Sequence, residues 1–170
     1  MCCRVPRALR FTHLLSALVL LFVASGCTGS PPSPVSTTTT TVPTPSRSVS
    51  ARIDGAMWSS FSVTAGVQRG TLTMAAFGSA TIAGSFTLSA PATVGTFNIG
   101  PSSIVEASLI SASGSWEAYS QPAIKGSGSV TITSVTSTSA AGTFTFVMLP
   151  TSTSSTGTKS VTGGVFNVTF

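Results

Sequence analysis

Charge is what this chain most lacks. Eight Lys and Arg and three Asp and Glu are spread over 170 residues, so charged side chains make up only 6% of it. A nucleic-acid surface draws on clustered Lys and Arg that neutralise several phosphates. Here the basic residues stand singly, which speaks against nucleic acid as a partner. Long apolar runs are missing too. The run at residues 14–23 is about ten residues long with Ser16 inside it, against the roughly 20 that a membrane-spanning helix needs. Histidine occurs once, as His13, and cysteine only as Cys2, Cys3 and Cys27.

What the N-terminal stretch does hold is an address. Arg4, Arg7 and Arg10 precede the apolar run and small residues follow it, the three-part layout of an export signal. The run ends in Val23-Ala24-Ser25-Gly26-Cys27. This resembles the lipobox of bacterial lipoprotein signal peptides, in which small or aliphatic residues lead into a cysteine, although Ala24 stands where leucine is commonest. The resemblance implies a signal peptide over residues 1–26, a diacylglycerol on the Cys27 sulfur, and Cys27 as the mature N-terminus. It also implies a place in the cell envelope with the membrane as partner. The outer membrane is the expected destination where the source has one, because Thr28 is not the aspartate that retains some lipoproteins at the inner membrane. Two or three acyl chains hold where one would be marginal, at about 0.8 kcal/mol for each buried methylene. An ordinary secretory signal cut near Ala24 or Gly26 is the alternative.

With the signal removed, His13, Cys2, Cys3 and three arginines are gone. Arg47, Arg52, Arg69, Lys125 and Lys159 then face Asp54, Glu106 and Glu117, five against three, a net of +2. Lipid on Cys27 leaves no thiol for a disulfide, which a domain of this size does not need. Without histidine or a free thiol, Ser-His-Asp and Cys-His mechanisms drop out, and so does the commonest metal ligand. No cofactor motif is present, and the expectation is a protein that is not an enzyme and holds no metal. The surviving catalytic option is a carboxylate pair, Glu106 with Glu117 across a hairpin. Charged residues on a hairpin face outward by default, so two solvated strand residues are the plainer reading.

Residues 27–48 read as a tether. Pro, Ser and Thr fill them, with no aromatic residue and no apolar period, so they bury too little to offset the entropy of ordering. Extended at about 3.1 Å per residue, the tether would reach roughly 60 Å from the lipid.

From residue 49 the pattern changes to short period-two runs punctuated by glycine, with no stretch of helical period, which predicts an all-β domain over residues 49–170. Asp54-Gly55 supplies the two positive φ values of a type I′ turn between strands at 50–53 and 56–63. Further strands are predicted at 71–76, 81–88, 96–99, 104–110, 115–119, 129–135, 142–148 and 159–170. Trp58, Phe144, Phe146 and Met148 point inward, and Gly163-Gly164 bends the last strand so that Val161, Phe166, Val168 and Phe170 share a face. Nine or ten strands joined by hairpin-length links make an antiparallel β-sandwich or closed barrel. Phe170 is the residue type that ends many outer-membrane barrels, but the lipobox and tether argue for a soluble domain.

Several stretches together resemble a family of bacterial lipoprotein domains of unknown function, rich in β-structure. They are Ile53-Asp54-Gly55-Ala56-Met57-Trp58, the run Gly95-Thr96-Phe97-Asn98-Ile99, Gly142-Thr143-Phe144-Thr145-Phe146, and Val161-Thr162-Gly163-Gly164-Val165-Phe166. The resemblance covers residues 49–170 and implies a β fold without an assigned activity or catalytic residues. For ligand contact, Trp116 and Tyr119 beside Glu117 are the candidates, since an aromatic face stacks on sugar or accepts an apolar ligand. The expected role is a non-catalytic module that contacts an envelope protein or glycan. Carriage of a small apolar ligand inside a barrel is the alternative.

Overall fold

A computed structural model describes residues 47–120 and 125–170; the signal peptide, Cys27 and almost all of the tether lie outside the described residues. The alternating runs form ten strands: β1 (Ser48–Ile53), β2 (Ala56–Gln68), β3 (Thr71–Gly78), β4 (Ser85–Pro91), β5 (Gly95–Asn98), β6 (Glu106–Ser111), β7 (Gly114–Tyr119), β8 (Ser127–Val135), β9 (Ser139–Pro150) and β10 (Lys159–Thr169). Eight of them pair antiparallel in the order β1-β2-β3-β4-β6-β7-β9-β10, and β10 pairs back onto β1. The fold is thus a closed barrel. The remaining two, β8 and β5, are paired to each other and continue from β9 beyond its short pairing with β7, with Val130 and Ile132 of β8 in the core.

Two turns show how the chain folds back on itself. Asp54 and Gly55 take φ of 49° and 84°, and Arg69 and Gly70 take 50° and 78°, so both hairpins carry the paired positive φ values that match strand twist. The first turn is also stitched to β10. The Asp54 carboxylate accepts from the Ser160 amide at 2.9 Å and from the Lys159 ammonium at 2.7 Å. Gly163, at φ 56°, sits in a register break between β10 and β9, the bend expected there.

Inside, the barrel is filled by rings from opposite walls. Phe86 of β4 stacks on Phe144 of β9 with centroids 4.9 Å apart and planes 15° from parallel. Trp58, Phe146 and Phe166 gather round this pair at 6.0 to 6.5 Å. Leu72, Met74, Leu88, Leu109, Val130, Ile132, Met148, Val161 and Val168 are among the aliphatic and Met side chains packed with them. Outward positions are mainly Ser and Thr. This is the reverse of a membrane-spanning barrel, whose apolar residues face out.

The strand expected at 81–88 begins later, at Ser85. The reason is a cap. Gly78 N donates to Gly84 O, Ala83 N donates to Ser79 O, and the Trp58 indole N–H donates to Ala83 O at 2.7 Å, so the apolar pair Ile82 and Ala83 turns inward over the barrel end without strand pairing. In β2 the chain runs on to Gln68, beyond the expected end at Val63, because it leaves β1 and pairs β3 along its second half.

Burial raises the Asp54 carboxyl pKa, but the Lys159 and Ser160 hydrogen bonds and the Lys159 charge outweigh it and hold the pKa below its ordinary value. A depressed carboxyl contributes stability above its unfolded pKa and loses it as pH falls through the folded value. Asp54 is 43% exposed, so solvent screens the pair and the contribution is small. Asp54→Asn keeps a residue that tolerates positive φ while removing the charge. Urea unfolding is expected to show it less stable by at most about 1 kcal/mol at pH 7, with the difference shrinking as pH falls below about 4, the ordinary Asp value.

Candidate functional site

Strands β4, β6 and β7 lie side by side because β5 leaves the barrel to pair with β8. Each strand alternates. Phe86, Leu88 and Ala90 of β4, Ala107 and Leu109 of β6, and Trp116 and Ala118 of β7 point into the core. The residues between them point out. The registers Thr87↔Ser108↔Glu117 and Ser89↔Glu106↔Tyr119 arrange six outward side chains in two rows across three strands. They line a shallow groove of about 230 Å³. Neighbouring strands are about 4.8 Å apart and alternate residues on one strand about 6.7 Å, so the six side chains form a small grid.

Glu106 and Glu117 are diagonal neighbours in this grid, as the hairpin reading expected. Tyr119 joins them. Its ring meets the Lys125 ammonium at 6.0 Å, and the Tyr119 and Lys125 backbones exchange two hydrogen bonds of 2.9 Å across residues 121–124, which lie outside the described residues. Trp116 is placed elsewhere. It is 1% exposed on the inner face of β7, its indole N–H donates to Gly157 O at 3.0 Å, and the Lys159 ammonium lies 4.9 Å from its ring centroid. Of the three candidates Trp116, Glu117 and Tyr119, the structure therefore brings together Glu117 and Tyr119, and Trp116 packs behind them. Cys27 lies outside the described residues.

Thr87, Ser89 and Ser108 also line the groove, and no sequence reading singled them out. Alternation alone marked Thr87 as outward; the missing information was that β4 and β6 are partners despite β5 lying between them in sequence.

Some polar side chains elsewhere on the outer surface pair with one another, while others, such as Thr64, Thr145 and Thr162, stand in solvent as those of the groove do. Thr96 bonds Thr131 at 2.9 Å, Ser115 bonds Thr151 at 2.6 Å, and Thr136 bonds Ser139 at 2.8 Å. In the groove Ser89 makes one long contact, 3.4 Å to Thr73. Among the described residues, no hydrogen bond engages the side chains of Thr87, Glu106, Ser108, Glu117 or Tyr119. The arrangement offers two acceptor-only carboxylates, hydroxyls that donate and accept, and one ring face. Such a set fits a ligand dense in hydroxyl groups. Among the described residues there is no group of three His, Cys, Asp or Glu side chains that would hold a metal ion.

The two faces of β7 should respond differently to substitution. Trp116→Ala is expected to cost about 3 to 5 kcal/mol in denaturant unfolding, whereas Glu117→Gln and Tyr119→Ser should stay within about 0.5 kcal/mol of the parent. Comparable losses at all three would mean that the groove side chains are structural.

Comparison with the curated proteins and with the solved structures gives no match. Residues 45–169 match the family model described as Domain of unknown function (DUF6252), a span that takes in the whole barrel, and the chain belongs to that family.

Proposed function

We propose that this chain is a lipid-anchored, non-catalytic binding domain of the cell envelope, and that its outer groove on β4, β6 and β7 takes a hydroxyl-rich glycan. The observation that carries the ligand half is the convergence of two carboxylates, three hydroxyls and one ring in a single groove on three paired strands. The anchoring half is supported by the three-part export layout ending at Cys27 and by the Pro, Ser and Thr tether behind it. Lack of histidine and thiol after Cys27 supports a binding role over catalysis.

Carriage of a small apolar ligand is the second reading. The closed eight-stranded wall favours it, since barrels of that size can hold one small molecule. The ring cluster around Phe86 and Phe144 favours the outer face, because it occupies the space such a molecule would need.

The experiment has two readouts on protein purified from membranes. Intact mass should show a chain beginning at Cys27 with a lipid-sized increment, lost with release from the membrane in Cys27→Ala. Titration with envelope polysaccharide fragments should show saturable binding that Tyr119→Ala weakens roughly tenfold, the loss expected for one stacked ring of about 1.4 kcal/mol. An unmodified mature chain would sink the anchored half. Binding indifferent to both Tyr119→Ala and Glu117→Gln would sink the groove.

A further inference from the structure

A second outer feature lies at one end of the same wall. Phe61 is 80% exposed, Phe77 42% and Ile110 52%. Phe61 is the extra residue of a bulge in β2, between the pairs Ser60↔Gly78 and Ser62↔Phe77, and the bulge turns its ring outward. The registers Phe77↔Ser85 and Ser85↔Ile110 continue the line from Ser62, so Phe77 and Ile110 stand in one row separated by Ser85, with Phe61 beside Ser62 at its end. It crosses four strands, about 14 Å.

This row lies where the chain enters the barrel. Val49 N donates to the Ser60 hydroxyl at 3.0 Å, which fixes the start of β1 against the bulge, and Arg47 is held to Thr169 at 2.8 Å. The tether therefore arrives beside Phe61. No carboxylate of the described residues shares this edge: Asp54 is in the turn that ends β1, Glu106 is at the opposite end of β6 from Ile110, and Glu117 follows it in the groove. Arg47 supplies the local charge.

We propose that the Phe61, Phe77 and Ile110 row is a membrane-contact edge, resting among the headgroups of the bilayer to which the tether leads. This deepens the anchored reading and rests on it. Aromatic rings favour the membrane–water interface, and a patch of three side chains would bind free vesicles only weakly. A tether raises the effective concentration into the millimolar range, so a weak contact becomes populated. The contact also orients the groove. Glu106 is four residues along β6 from Ile110 and Glu117 is in register with Ser108, two residues from it, so the carboxylates would stand about 13 Å and about 7 Å above the contact row.

The test couples residues 27–170 through the Cys27 thiol to a maleimide-bearing phosphatidylethanolamine in phosphatidylcholine and phosphatidylglycerol vesicles. It then does not depend on whether cells lipidate the chain. Phe61→Trp is compared with Met57→Trp, exposed on the same strand beside the Asp54-Gly55 turn, each as a difference from the parent's Trp58 and Trp116 emission. The expected result is a blue shift for Phe61→Trp on coupling, with quenching by headgroup spin-labelled lipid several-fold above that of Met57→Trp. Adding Phe77→Ser and Ile110→Ser should remove most of that quenching. Equal quenching of the two reporters overturns the proposal. So does a blue shift that grows with protein concentration without vesicles, since a second copy would then cover the row. Failed lipidation in cells, read from intact mass, would remove the native anchor and leave the quenching comparison to decide the edge.

Discussion

The stack of Phe86 on Phe144 is the contact around which the barrel is arranged. It joins β4 to β9, two strands that are not neighbours in the wall, so it spans the interior and fixes how far apart the walls stand. Rings this large fit only where the facing backbone is bare. A Cβ on Gly164 would meet the Phe144 ring, one on Gly142 would meet Phe166, and one on Gly78 would meet the Trp58 indole. Each of these glycines stands against a ring, which is how a small barrel holds the five-ring cluster around Phe86 and Phe144 at native packing density. Once that interior is filled, strand alternation determines everything outside it.

Closure is uneven around the wall. The β10 and β9 strands share a long ladder, whereas β7 and β9 pair only at Trp116↔Pro150 and Glu117↔Leu149 before β8 takes over the edge of β9. Side chains seal this short seam. Ser155 accepts from Ser115 N at 2.8 Å, Ser115 bonds Thr151, and Trp116 reaches Gly157 across it. Lys159 then ties the Trp116 ring to Asp54, so the first hairpin, the last strand and the seam form one connected edge. The scarcity of charge gives these few ionic contacts defined places, and it leaves Glu106 and Glu117 without a basic partner of this kind.

The period-two pattern carried most of the fold in the sequence. It marked strand identity, the inward set on β9 and β10, the Asp54-Gly55 turn and the bend at Gly163. It failed where apolar residues turned inward without strand pairing. Ile82 and Ala83 continue the alternation by letter, yet they cap a barrel end because the Trp58 indole claims the Ala83 carbonyl. The groove was less legible for a related reason. Alternation says which face a residue occupies but not which strand lies beside it, and the departure of β5 toward β8 makes β4 and β6 neighbours. Trp116 illustrates the same limit from the other side. Its adjacency to Glu117 and Tyr119 in sequence suggested one surface, whereas successive residues of a strand point to opposite faces.

Composition, rather than hydrogen bonding, is what distinguishes the proposed ligand face from the rest of the surface: two of the three carboxylates that follow Cys27 stand in it beside a ring. A surface of hydroxyls can meet water anywhere, and pairs such as Thr96 with Thr131 show that neighbouring outward hydroxyls on this barrel bond each other when geometry permits. Along β4, β6 and β7 the two rows instead set Glu117 beside Ser108 and Glu106 between Ser89 and Tyr119. Carboxylates donate nothing, so Glu106 and Glu117 can accept from the serine and threonine hydroxyls or from an incoming ligand. Leaving both free beside Tyr119 retains acceptors at fixed spacing on a rigid sheet. A flexible loop would lose that spacing before a ligand arrived; a three-strand wall pinned from behind by Phe86, Leu109 and Trp116 does not.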